Sequence, residues 1–121
     1  VSLWAKVRFP AGIMARAAEL AQDQVITVSS MERAGLPGLE RVLALASALA
    51  GLLPEGVPMA LAVRTVGELT GMSHETAGKL LGRAVDLGYL ELVRVYPRGH
   101  RKGNEYLSTA KLISAATVRR D

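Results

Sequence analysis

The chain has 121 residues, a formal net charge of +4 and no cysteine. A chain of this length can bury one core without staples, and the missing cysteines exclude a disulfide framework, a thiolate nucleophile and a cysteine-based zinc site. Half of the residues are hydrophobic but only 4% are aromatic, so apolar surface comes mostly from Ala, Leu and Val, a composition that favours helices.

In chain order, the first predicted helix covers Pro10 to Gln24. Pro10 suits a first-turn position, and Ile13, Met14, Ala17, Ala18 and Ala21 fall on one stripe. The β-branched run Val25 to Val28 breaks that pattern. Ser29 stands three residues before Glu32, which is capping-box spacing, and Gly35 and Pro37 then limit any helix to a short one. The strongest helix follows, from Pro37 to Leu53, with Leu39, Val42, Leu43, Ala46, Leu49, Ala50 and Leu53 at spacings of three and four and with Glu40 and Arg41 on the other face. Its uncharged stretch from Val42 to Pro54 is shorter than the roughly 20 residues a bilayer-spanning helix needs, so no membrane partner is expected. Met59 to Val63 is a short apolar run that suits a small strand.

A compact unit begins at Thr65. Thr65 and Glu68 have the T-x-x-E spacing of a capping box, and Val66 and Leu69 give the helix its apolar side. Gly71 is placed to end it in a left-handed conformation. Ser73 is a good N-cap for the next helix, in which Ala77, Leu80, Leu81, Ala84 and Leu87 recur at helical spacing before Gly88. The period then changes. Leu90, Leu92, Val93, Val95 and Tyr96 are strand formers, Pro97 to Asn104 is rich in turn residues, and Tyr106 and Leu107 resume the alternation. A β-hairpin is expected, with Arg94, Arg98, His100, Arg101 and Lys102 along its tip and no acid between Arg94 and Lys102. Thr109 to Val118 suits a last helix.

The stretch from Thr65 to Leu90 resembles the helix-turn-helix of bacterial and archaeal winged-helix DNA-binding domains. The matching residues are Thr65, Glu68, Leu69, Gly71, Ser73, Thr76, Leu81, Leu87, Gly88, Tyr89 and Leu90. The hairpin Glu91 to Ser108 is similar to the wing, and Pro37 to Leu53 matches the first helix of such domains. The resemblance implies a mainly α fold with a small β-hairpin wing: a winged helix-turn-helix over residues 37–121, with an extra N-terminal helical segment over residues 1–36 that is a dimerisation arm, a linker or part of the core. Ala84 stands where the family more often has a larger aliphatic residue. Gly78 and Gly82 each lower helix propensity by about 1 kcal/mol relative to alanine. Both are expected on the outer face, where they allow either close approach to DNA or close packing of a neighbouring helix.

Under this resemblance the partner is double-stranded DNA, with a homodimer as a further expectation. A helix fits the major groove and its exposed side chains reach base edges. With Ala77, Leu80, Leu81 and Ala84 turned inward, His74, Glu75, Lys79 and Arg83 face outward, and Thr76 lies at the margin. Ser73 and the free N–H groups beside it can meet a phosphate. Lys79 and Arg83 can meet phosphates or guanine, or form an ordinary solvated face. Arg94, Arg98, His100, Arg101 and Lys102 can lie on phosphates or in the minor groove, or serve to protect a strand edge. Tyr96 and Tyr106 are expected to pack the hairpin onto the helix.

An enzyme is not expected. His74 and His100 have no carboxylate at metal-ligand spacing. Ser73, His74 and Glu75 are adjacent at a helix start and point apart, so they cannot line up as a triad. No phosphate-binding glycine loop is present, and no cofactor is implied. The reading is a cytoplasmic, nucleoid-associated transcriptional regulator or its DNA-binding domain. The Val1 start suggests a fragment, which motivates a second reading: the DNA-binding domain of a replication, primase or plasmid-maintenance protein. A third is a winged-helix protein-interaction module, for which the helix Pro10 to Gln24, with Trp4 and Phe9 beside it, would be the contact surface.

Overall fold

The computed structural model describes residues 12–95 and 103–118, which form helices and two small antiparallel sheets. In chain order the elements are α1 (Ile13–Ala21), β1 (Gln24–Ile26), α2 (Ser30–Arg33), α3 (Leu39–Leu52), β2 (Met59–Leu61), α4 (Val63–Thr70), α5 (His74–Asp86), β3 (Leu90–Arg94), β4 (Asn104–Ser108), α6 (Ala110–Ala115) and β5 (Ala116–Val118). No described helix is long and apolar enough to cross a membrane.

Helix α3 is the centre. Leu39, Val42, Leu43, Ala44, Leu45, Ala46, Ala48 and Leu49 are all buried, so the helix is enclosed on most sides. Each fully buried leucine contributes about 1.5–3 kcal/mol relative to exposure. Helices α1, α4, α5 and α6 and strands β1, β2 and β4 all pack on it. Ala17 of α1, Ile26 of β1 and Val28 belong to the same buried cluster as Leu43 and Leu81. The described part of residues 1–36 thus shares its core with the rest of the chain.

Two features depart from the sequence expectations. Val25 lies in a strand rather than a mere interruption, and the expected last helix stops at Ala115. β1 and β5 pair antiparallel, with Val25 opposite Thr117 and Ile26 opposite Ala116. The β-branched residues on both sides fit a pleated ladder better than a helix. The other sheet has the order β2-β4-β3. Met59 pairs with Tyr106, and Leu90 pairs with Ser108, with an irregularity between Leu92 and Arg94. Tyr106 is buried in the core as well as in the hairpin, which moves its hydroxyl pKa upward through desolvation.

The turn between α4 and α5 is fixed by contacts rather than by the predicted capping box. Helix α4 starts at Val63, two residues before Thr65, and Ala62 at its N-cap gives no side-chain cap. Strand β2 runs to Leu61 and the Ala62 carbonyl already accepts from Val66 N–H at 2.9 Å, so Thr65 is inside the helix. At the other end Gly71 has φ 74°, the left-handed cap that glycine allows. Met72 N–H donates to the Gly67 carbonyl at 2.9 Å. Arg41 of α3, read from the sequence as solvent-facing, donates from Nη1 to the Thr70 carbonyl at 2.8 Å. It places a cation at the negative end of α4. Gly67 is pressed against the turn: a Cβ there would lie 2.7 Å from the Met72 carbonyl oxygen and 3.3 Å from His74 N.

A polar clasp joins α2, the end of α5 and α6. The buried Tyr89 donates its hydroxyl to Glu32 Oε1 at 2.7 Å. Lys111 Nζ meets Glu32 Oε2, donates to the Leu87 carbonyl at 2.7 Å and sits 4.4 Å from the centre of the Tyr89 ring. The Lys111 and Tyr89 hydrogen bonds pull the Glu32 carboxyl down from 4.5 to about 2. Burial, with Glu32 next to it, pushes Tyr89 up to about 12.

Two expectations follow from these contacts. Gly67→Ala should destabilise the fold by about 1–3 kcal/mol, because the added carbon overpacks a backbone contact. Gly82→Ala, which meets nothing within 4 Å, should stabilise it by about 1 kcal/mol through helix propensity. Urea denaturation of the two variants checks the opposite signs. Glu32→Gln should lower stability at neutral pH. Its carboxylate is held below the ordinary value, so its contribution is present above pH 4.5 and lost as pH falls towards about 2. Thermal midpoints of wild type and variant should therefore converge across that window, and parallel curves down to pH 2 would contradict the assignment.

Candidate nucleic-acid interface

Helix α5 is two-faced for a simple reason. Ala77, Leu80, Leu81 and Ala84 recur at helical spacing and are all buried. Small residues at 77 and 84 let the helix lie close to the core while Leu80 and Leu81 fill the space between. That anchoring leaves Ser73, His74, Glu75, Thr76, Lys79 and Arg83 exposed, as their spacing predicts. Ser73 is the N-cap: its Oγ accepts from Thr76 N–H at 3.2 Å and donates to Thr76 Oγ1 at 2.9 Å. Thr76 is therefore fully outside the core and tied to the cap rather than marginal.

The two helix glycines separate. Gly82 is exposed, with open space beside it. Gly78 is half-buried, and a Cβ on it would stand 3.4 Å from Val63 Cγ1. Gly78 therefore belongs to the packing of α4 on α5, not to the outer face, because the first turn of α4 crosses the middle of α5. Arg64, the next residue in that first turn, is exposed. The T-x-x-E spacing starts a helix at Thr65 and leaves Arg64 outside it, whereas the helix begins at Val63.

The charges on α5 balance. Lys79 and Arg83 are matched in number by Glu75 and Asp86, and Arg83 Nη1 lies 3.7 Å from Asp86 Oδ2 with both side chains at least half exposed. An exposed pair of this kind contributes at most about 1 kcal/mol, so Arg83 can exchange Asp86 for another anion at small cost. Arg94 lies at the exposed end of β3, opposite Glu105 in the ladder. Arg98, His100, Arg101 and Lys102 lie outside the described residues, as does Tyr96. Gly103 leads the chain back into β4 with its α-carbon against Ala62, and a side chain there would collide with the Ala62 backbone. The returning end of the hairpin is thereby held next to the start of α4.

Arg64, the exposed row on α5 and the base of the hairpin thus stand on neighbouring elements, with cations on each. Such a surface can bind a polyanion through its cations and offer hydrogen-bond groups to a groove. Among the described residues no three His, Asp or Glu side chains cluster closely enough to hold a metal ion.

Ser73→Ala should cost about 1 kcal/mol of stability by removing the N-cap bond, read as a lowered denaturation midpoint, whereas Ser73→Asp should retain it. Comparison with protein-family models, with curated proteins and with solved structures finds no match to this chain.

Proposed function

We propose that the chain binds double-stranded DNA as a winged-helix domain, serving as a transcriptional regulator or its DNA-binding module in the cytoplasm. The observation that carries the reading is α5 itself: a helix held by Ala77, Leu80, Leu81 and Ala84, entered by a tight turn, with its polar row fully exposed. The element order supports it. Helix α3, strand β2, helices α4 and α5 and the hairpin β3–β4 follow one another, and β2 pairs with the returning strand β4.

In this reading α5 enters the major groove, whose width admits a helix. Lys79 and Arg83 contact phosphate or guanine, and His74, Glu75 and Thr76 stand near base edges. The Ser73 end of the helix meets a phosphate. Because α5 carries as many acids as cations, the attraction to the backbone comes mainly from elsewhere. Arg64 and the run Arg94, Arg98, Arg101 and Lys102 supply it, with His100 among them. The helix then selects position and sequence, while the hairpin and the α4 start supply affinity.

Duplex binding measured as a function of salt tests this division. Affinity should fall as salt rises, with a slope of about 0.9 per phosphate contact. Arg101→Ala with Lys102→Ala should lower that slope by about 2, and Lys79→Ala by about 1. Glu75→Gln should raise affinity for unrelated duplexes, since it removes an acid from the groove-facing row. Absence of duplex binding at low salt would sink the proposal.

A further inference from the structure

On the side formed by the end of α3, β4 and α6 runs an open groove of about 640 Å³, a volume within the roughly 300–1,000 Å³ of small-molecule sites. Its apolar lining includes Leu53, Val57, Leu107 and Ile113. Ile113 is 67% exposed although it lies on a helix that packs against the core. Among the described residues the only charged ones in the lining are Glu55 and Glu91. The local structure holds both in place. Helix α3 ends at Leu52, and Val57 N–H donates to the Pro54 carbonyl at 3.1 Å, so Glu55 stands in a closed turn. Glu91 lies opposite Leu107 in the β3–β4 ladder. Both are exposed, and neither carboxylate forms an ion pair among the described residues. Ser47 Oγ, which donates to Gln24 Oε1 at 3.3 Å, adds a neutral polar pair to the lining.

We infer that this groove binds a small lipophilic organic cation, a compact apolar body carrying one positive charge. The charge of the lining decides between ligand classes. A neutral apolar ligand would cover Ile113 and Leu107 but strip water from the carboxylates without replacing it. An anion would be repelled by both. A lipophilic cation buries the apolar surface and gives Glu55 and Glu91 a counter-charge at once. The preference runs against the chain's net charge of +4, which attracts anions at long range, so it is a property of this groove alone. A second cavity, between α1, α3 and α4, is lined by Arg41 and no acid, and at about 190 Å³ it is smaller than such sites. The groove also draws its lining from both sheets, through Leu107 of β4 and Ala116 of β5. A bound ligand therefore ties the base of the hairpin to the β1–β5 ladder and raises the unfolding midpoint. The inference is independent of DNA binding.

Tetraphenylphosphonium and tetraphenylborate share a shape and differ in the sign of their charge, so separate calorimetric titrations of the full chain isolate the charge preference. The phosphonium should bind saturably, one per chain, and raise the thermal midpoint. Glu55→Gln with Glu91→Gln should weaken it about tenfold, the sum of two exposed charge pairs, with circular dichroism unchanged. Gly51 lines the groove, and a Cβ there meets nothing within 4 Å. Gly51→Leu therefore fills the groove without disturbing α3 and should abolish phosphonium binding. Lys79→Ala should leave it as it is. Tetraphenylborate should show no binding that Gly51→Leu removes. A wild type that binds no phosphonium overturns the inference, since the groove would then be closed to such a ligand. Binding that survives Gly51→Leu, or that the paired glutamine variant leaves unweakened, overturns it too, and the glutamine variant decides by itself where Gly51→Leu does not fold. Groove-dependent borate binding as tight as that of the phosphonium does the same. So does a dimer in light scattering that Gly51→Leu converts to a monomer, since a second copy would then occupy the groove.

Discussion

Everything in the fold depends on enclosing α3. A helix with an apolar stripe needs one partner, but this one buries eight of its fourteen residues and needs partners on most sides. Its alanines at 44, 46 and 48 set how close those partners come. Ala44 lines a small cavity together with Ala18 and Ala21 of α1, so small side chains border it on both helices. Helix α5 packs on α3, α4 and β3. The polar row on α5 is the face that this packing leaves outside.

Much of this was legible because the signals were local. The N-caps Ser29 and Ser73, the left-handed Gly71 and the spacing of Leu80, Leu81 and Ala84 involve neighbours within four residues. The failures were long-range. Nothing near Thr65 reveals that Ala62 ends a strand and begins a helix, since that boundary depends on β4 pairing with β2 forty-odd residues on. Nothing near Val25 or Thr117 reveals that they are partners. Gly78 looked like Gly82 in sequence, and only the crossing of α4 told them apart. For the candidate interface, the exposed row on α5 was readable from periodicity. Arg64 was missed because its position depends on the misplaced helix start, and Arg41 because its partner is a carbonyl on another helix.

The balance of charge on α5 bears on how such a surface would discriminate. A strongly basic helix binds any duplex, because phosphate attraction carries no sequence information. Glu75 and Asp86 offset Lys79 and Arg83, so the exposed row on α5 would contribute little general attraction to a polyanion. If the chain binds DNA as proposed, cations outside that row would supply affinity separately from selection, and acids in the row would penalise poorly matched approaches.

The β1–β5 ladder has a consequence for how the chain folds. It closes a loop of about 90 residues, and the entropy of that closure must be offset before its few hydrogen bonds form. The helix-turn-helix and the hairpin need only near neighbours, and contacts of short sequence separation form fastest. The ladder therefore joins late, after α3 is surrounded, and acts as a latch on a structure already assembled. A latch formed after the barrier is crossed slows unfolding more than it speeds folding, so its three residue pairs govern how long the folded state lasts.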